Sequence, residues 1–284
     1  MIAVRDIKKS FMDQKVLKGV SFEVGEGCIY GLIGLNGAGK TTLMKIMTGL
    51  LSADDGEFEC QVDGTAKVAY LPDLPDFYDY LTTDEYLDFL LAGKNAARRD
   101  ELLSIVGLKS GLRIKTMSRG MRQRLGIAAV LVDDPDIILL DEPTSALDPS
   151  GRNDVKDILT KLKEQGKTII LSTHILADMD SICDRAGFLH GGVIAREVDV
   201  KENSNAPAGL MVKFATAPDM SIIEKAGLKP EIVDELTLRF QRGTEDKLAE
   251  QQKILSTLGS LQQEIVSIGN AKKSLDEIFA EVCR

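Results

Sequence analysis

The chain has 284 residues, 44% hydrophobic and 28% charged, enough for a sizeable core and about two domains. A formal net charge of -9 and a pI near 5.0 argue against broad, non-specific nucleic-acid binding, so no nucleic-acid partner is expected. No apolar run approaches the roughly 20 residues that span a bilayer. Met1–Asp6 has no signal-peptide core, and Cys28, Cys60, Cys183 and Cys283 share no close spacing. The chain therefore reads as soluble and cytoplasmic, with free thiols.

In chain order, Ile2–Val4, Val20–Val24 and Cys28–Ile33 read as strands, with a turn at Gly25-Glu26-Gly27. The next eight residues are Gly34-Leu35-Asn36-Gly37-Ala38-Gly39-Lys40-Thr41, the pattern G-x-x-x-x-G-K-T, and Thr42–Met47 continues as a helix. Strand, glycine-rich loop and helix in that order make a phosphate cradle. Glycines let successive N–H groups turn inward, and the helix start adds its positive end. Lys40 is expected to reach β- and γ-phosphates, the Thr41 hydroxyl to hold Mg²⁺, and Thr42 to lie close by. A nucleoside triphosphate with Mg²⁺ is thus the expected ligand. A chance glycine-rich turn is the alternative.

Glu57–Gln61 and Lys67–Leu71 then read as strands. The stretch from Pro72 to about Arg113 changes character. Proline, aspartate and aromatics open it, Thr83-Asp84-Glu85 signals a helix start, and Arg98–Val106 reads as a second helix. It is expected to be a helical insertion, about 72–132, between two halves of a nucleotide-binding core. Gln123–Val132 reads as a helix and Ile137–Leu140 as a strand buried on both faces, followed by Asp141-Glu142. Open α/β sheets place ligands at such strand ends. Asp141 fits a water-mediated hold on Mg²⁺, and Glu142 could polarise the water that attacks the γ-phosphate. A solvated acidic strand end is the alternative.

Helices at Ser150–Gln165 and Ile175–Cys183, a strand at Thr168–Ser172 and a hairpin turning at Gly191-Gly192 complete a mainly parallel α/β unit over residues 1–202. Residues 203–209 read as a linker. Residues 210–284 alternate strand, helix, strand, strand, helix, strand, helix, the pattern of a small α+β domain.

Further motifs follow in the same chain: Tyr70-Leu71-Pro72-Asp73, Met117-Ser118-Arg119-Gly120-Met121-Arg122-Gln123-Arg124, Pro143–Pro149 and Ser172-Thr173-His174. With the loop and Leu139–Glu142, they resemble, in order and spacing, the ATP-binding subunit of an ATP-binding-cassette (ABC) transporter. The resemblance covers roughly residues 1–200. The C-terminal unit, ending Ser274–Phe279, is similar to the accessory domain of bacterial drug- and antibiotic-exporter ATPases.

The resemblance implies a P-loop NTPase cassette that hydrolyses ATP to power transport. It would be peripheral on the inner face of the cell membrane and work with a separate transmembrane permease subunit docked near Phe77–Tyr86. It implies a dimer with a second copy or a related ATPase subunit, each nucleotide lying between one phosphate loop and Ser118 and Gly120 of the facing subunit. Ser118 also reads as a helix cap. His174 matches a switch histidine that contacts the γ-phosphate, and Asp148 a loop that communicates across the dimer. Phe11 falls where an aromatic stacks on adenine; a core aromatic is the alternative. His190 matches no functional position.

Two departures stand out. Asp73 replaces the glutamine that senses metal and attacking water, and is expected to touch Mg²⁺ through water. Arg119 and Met121 replace glycine and glutamine. The rival function is a soluble ABC ATPase acting on ribosome or DNA. One phosphate loop, and only residues 42–116 between it and the signature, disfavour that rival.

Overall fold

The computed structural model describes residues 1–60, 66–93, 95–145, 147–200, 209–241, 247–261, 263–271 and 275–283. The expected linker at 203–209 lies outside the described residues except for Gly209. The chain separates into two units, Met1–Val200 with Ile278–Arg284, and Lys201–Glu277.

The first unit contains β1 (Ile2–Phe11), β2 (Gln14–Val24), β3 (Ile29–Ile33), α1 (Lys40–Met47), β4 (Asp55–Cys60) and β5 (Val68–Leu71). Next come α2 (Thr83–Leu90), α3 (Ala96–Ile105), a 3-10 turn (Ile114–Thr116) and α4 (Arg119–Val130). It continues with β6 (Ile137–Leu140), α5 (Pro149–Glu164), β7 (Thr168–Thr173), α6 (Leu176–Ile182), β8 (Arg185–His190) and β9 (Val193–Asp199).

Two sheets share this unit. Six strands run β5-β6-β7-β3-β8-β9, all parallel except the β8–β9 hairpin. Every residue of β3, β6 and β7 is buried, as a parallel sheet covered on both faces requires. The second sheet, β2-β1-β4, is antiparallel. The sequence pattern identifies these strands but not their separation into a sheet of their own. Ile7, Leu17, Val20 and Phe22 from it share one apolar cluster with Leu43 and Met44 of α1 and with Leu32, Leu139 and Ile170 of the parallel sheet. That cluster fixes α1, and so the loop before it, against both sheets.

Between β5 and β6 the chain is helical. Thr82 caps α2 in a reciprocal box: its hydroxyl accepts from Glu85 N (3.3 Å) and its N–H donates to Glu85 Oε2 (2.8 Å). Asn95 caps α3. α4 starts at Arg119, four residues before the expected Gln123, because Ser118 accepts from Met121 N and supplies the cap.

The second unit contains β10 (Gly209–Phe214), α7 (Met220–Lys225), β11 (Glu231–Asp234), β12 (Thr237–Gln241), α8 (Lys247–Ser260) and β13 (Ile265–Ala271). Its antiparallel sheet runs β11-β12-β10-β13. Val212, Phe214, Leu238 and Phe240 pack with Ile223, Ile254 and Leu258 in a core of its own. α9 (Leu275–Val282) follows β13.

The sequence assigned everything to residue 284 to the second unit. Ile278–Arg284 instead group with the first. Phe279 stacks on Phe188 of β8 with centroids 6.0 Å apart, and Glu281 pairs with Arg196 of β9 at 3.1 Å. His190, expected as a turn residue, ends β8 with Nδ1 3.8 Å from Cys283 Sγ.

Candidate functional site

The C-terminal ends of β3, β6 and β7 lie side by side in the parallel sheet. Everything the sequence singles out after a buried strand therefore emerges at one edge.

Residues 34–39 connect β3 to α1. Gly39 caps the helix with φ +106°, a left-handed conformation that a side chain disfavours. A Cβ at Gly39 would also come within 2.7 Å of Leu17, and one at Gly34 within 2.7 Å of the Leu189 carbonyl. The loop is thus threaded between neighbours with no room for side chains at these positions. Gly34, Gly39 and Lys40 are buried, Ala38 and Thr42 half-buried, and Leu35, Asn36, Gly37 and Thr41 exposed. Lys40 is 6% exposed, and its Nζ donates to the Gly34 carbonyl at 2.7 Å and the Leu35 carbonyl at 3.3 Å.

Asp141 follows β6 and is buried. Its Oδ2 accepts from Thr41 Oγ1 at 2.6 Å and from the Tyr70 hydroxyl at 3.3 Å; its Oδ1 accepts from Ser172 Oγ at 2.6 Å. Burial, reinforced by the Asp141 carboxylate, pushes the Tyr70 phenol well above its ordinary value, so Tyr70 stays protonated as a donor. The Thr41 hydroxyl beside a buried carboxylate is an oxygen set suited to a hard divalent cation that also binds phosphate.

Glu142 has φ +50°, a strained conformation for a residue with a side chain. Its N–H donates to Ser172 Oγ at 2.9 Å. Its Oε2 lies 2.8 Å from His174 Nδ1, and its Oε1 lies 3.2 Å from Lys40 Nζ. The Lys40 contact is an ion pair without hydrogen-bond alignment, and Oε1 is buried with no hydrogen-bond partner among the described residues. Lys40, Glu142 and His174, from three different elements, are thereby brought into one chain of contacts.

Not every expected residue joins them. Asp73 is exposed and accepts from Ser145 Oγ at 3.2 Å, with no hydrogen bond to Thr41 or Asp141. It still shares a cleft with Glu142, Arg119 and Gln123. Ser118 and Gly120 form the start of α4 and make no hydrogen bond to residues 34–42 among the described residues. Phe11 ends β1 at 46% exposure, with Lys9 Nζ 5.7 Å from its ring centroid, so it is not the core aromatic of the alternative reading. Asp148 caps α5 by accepting from Gly151 N at 3.0 Å.

Two residues in the quoted motifs carried no role in the sequence reading and now have one. Ser172 ties the Asp141 carboxylate to the Glu142 backbone N–H, and Tyr70 holds Asp141. The signal was pairing: parallel register sets Leu140 beside Leu171 and Leu71, which brings the next and preceding residues to Asp141.

A glycine-rich loop between a buried parallel strand and a helix, with two acidic residues at the end of another strand of the same sheet, one strand removed, defines a P-loop nucleotide-binding fold. Comparison with known proteins narrows the class. The family described as ABC transporter matches residues 17–145. An uncharacterized ABC transporter ATP-binding protein of Synechocystis sp. is 34% identical, covering 96% of this chain and 80% of its own. The lantibiotic transport ATP-binding protein SrtF of Streptococcus pyogenes is 35% identical over 72% of this chain and 93% of its own. Among solved structures, the dimeric post-hydrolysis ATP-binding cassette MJ0796 bound to ADP and Pi superposes with a TM-score of 0.62 at 25% identity, covering 70% of this chain and 99% of that one. The chain belongs to the ABC transporter ATP-binding proteins, and is an ABC ATPase. Among the described residues, no helix is long and apolar enough to cross a membrane.

Proposed function

We propose that this chain hydrolyses ATP as the motor of an exporter, closing as a dimer and driving a separate transmembrane permease from the inner face of the membrane. The observation that carries the reading is Glu142, held by a strained backbone between Lys40 and His174. Strain of this kind persists only where surrounding contacts enforce it, and it concentrates at working sites.

ATP is the substrate. Its phosphates meet the N–H groups of residues 34–42 and the N-terminal end of α1, and draw Lys40 Nζ away from the Gly34 and Leu35 carbonyls. Thr41 and Asp141 would hold Mg²⁺, which neutralises charge on the β- and γ-oxygens when bound. Ser172 and Tyr70 keep Asp141 oriented for that role. Glu142 accepts the proton of the attacking water, and His174 fixes the carboxylate through Oε2. Phe11 offers an exposed π-face to adenine. In the dimer, Ser118 and Gly120 of the facing subunit bring the start of α4 to the γ-phosphate. Asp73, exposed beside Ser145, would touch the metal only through water.

Support for a permease partner comes from the helical stretch. Asp76, Phe77, Tyr78, Tyr86, Phe89 and Leu90 line a groove. Phe77 and Tyr86 are a half-buried edge-to-face pair, while Tyr78, Tyr80 and Phe89 are exposed. Exposed clustered aromatics suit a protein partner. The export direction is supported by similarity to a lantibiotic transport subunit.

The test is size-exclusion chromatography of Glu142→Gln with ATP and Mg²⁺. The reading expects an ATP-bound dimer. A persistent monomer contradicts closure, and failure of any membrane protein with several apolar spans to co-purify with this chain contradicts the permease.

A further inference from the structure

The cleft beside Glu142 is lined by Asp73, Ser145 and the start of α4, including Arg119, Arg122 and Gln123. Three of its polar groups are already engaged. Ser145 donates to Asp73 (3.2 Å), and Arg122 pairs with Asp79 (2.7 Å). Gln123 is different. It is 7% exposed, and its Nε2 is buried with no hydrogen-bond partner among the described residues. α4 packs tightly here: one turn on from Gln123, a Cβ at Gly126 would lie 2.7 Å from Leu71 and 3.5 Å from Pro75. Residues three apart share a helix face, so Gln123 is directed to the same side, toward the end of β5 and the loop after it.

One wall of this cleft thus buries an unpaired donor, Gln123 Nε2, and another buries an unpaired acceptor, Glu142 Oε1. Buried polar groups in native proteins are almost always paired, and each exception needs a reason. Asp73 is not the natural acceptor, because it is exposed and already takes the Ser145 hydroxyl. The acceptor has its own need. Among the described residues its one ion-pair partner is Lys40 at 3.2 Å, and a phosphate bound at the loop would draw that ammonium away.

We propose that Gln123 is a positioning residue for Glu142: when Lys40 turns to the nucleotide, the Gln123 amide N–H bonds Glu142 Oε1 and holds the carboxylate toward the attacking water. The inference rests on the reading of Glu142 as the base. His174 then fixes Oε2 and Gln123 fixes Oε1, so the carboxylate keeps one orientation without its lysine. The Gln123 donor is left unpaired in the resting protein so that it is available in the working one.

The test is Gln123→Met, an unbranched replacement of similar size without a donor. Removing an unsatisfied buried polar group leaves the resting fold as stable or more so. The expected result is a Tm unchanged or raised, a KM for ATP within about twofold, and a kcat lowered roughly 10- to 100-fold, the scale of a misplaced catalytic group. An unchanged kcat overturns the proposal. So does a fall in kcat accompanied by a fall in Tm, which marks a structural role. Glu142→Gln assayed alongside separates the two readings. If that variant keeps full turnover, the assignment of the base fails; if it is inactive while Gln123→Met runs at full rate, only the positioning role fails.

Discussion

At the C-terminal edge of the parallel sheet, Lys40, Asp141 and Glu142 are buried or nearly so, and their partners come from four different segments. In the smaller unit, buried Arg239 of β12 grips Glu277 of α9 with both guanidinium Nη atoms, the second at 2.9 Å, in a bidentate pair. The two regions handle buried charge in opposite ways. Both Nη atoms of Arg239 meet the Glu277 carboxylate in a fork-like geometry, as in a structural pair. Lys40 leans on two carbonyls and a poorly aligned carboxylate, while Glu142 keeps a strained backbone and an unpaired oxygen. Incomplete pairing is costly in a resting fold. It is useful where a ligand completes it.

The comparison can be broken by substitution. Lys40→Ala is expected to have the largest effect: ATP hydrolysis falls at least ~100-fold and nucleotide binding is lost, since the loop loses its one buried ammonium. Titration with a fluorescent nucleotide at wild-type affinity would sink the assignment of the loop. Ser172→Ala comes next. It strips one donor from Asp141 and one acceptor from the Glu142 N–H, so kcat drops about tenfold and stability by about 1–3 kcal/mol, measured by steady-state assay and denaturant titration.

Arg239→Ala sharpens the other side. Leaving Glu277 without its fork is expected to destabilise the smaller unit by on the order of 2 kcal/mol, with hydrolysis by the full chain unchanged within about twofold. Equal losses of activity and stability would erase the distinction between the regions.

The smallest effect is an alkaline one. Burial, with Glu197 beside the hydroxyl, holds the Tyr30 phenol well above its ordinary 10.0, and burial with Asp141 does the same for Tyr70. Both groups bind their proton more tightly folded than unfolded. Their contribution is fully present below pH 10.0 and is lost as pH rises beyond it. Unfolding followed across pH 9–11 is expected to show stability falling with pH. Tyr70→Phe should flatten that fall; an unaltered slope would refute the linkage.

How much of this was legible beforehand follows from locality. The loop at 34–41 and the pair Asp141-Glu142 are contiguous motifs with a clear strand before them, so their chemistry can be read along the chain. Ser172 and Tyr70 gain their roles through strand pairing, and register between parallel strands is not written in either strand alone. The antiparallel sheet escaped for a related reason. β1 and β2 alternate as strands should, but alternation does not say which sheet a strand joins. Both also run longer than expected, since Gly19 with φ +120° and several lysines interrupt the pattern. The grouping of the last residues with the first unit rests on contacts far apart in the chain, Phe279 on Phe188 and Glu281 with Arg196, which no local pattern reveals. Asp73 was expected to touch the metal through water; its carboxylate accepts from Ser145, a contact that no local motif announces.

The central claim is that Glu142 performs the chemistry while Lys40 and Thr41 hold the nucleotide. It is tested most directly by giving Glu142→Gln radiolabelled ATP with Mg²⁺ and measuring bound nucleotide and released phosphate on the same sample. The account predicts ATP retained at the wild-type affinity with phosphate release slowed at least ~100-fold. Phosphate release at the wild-type rate would contradict it.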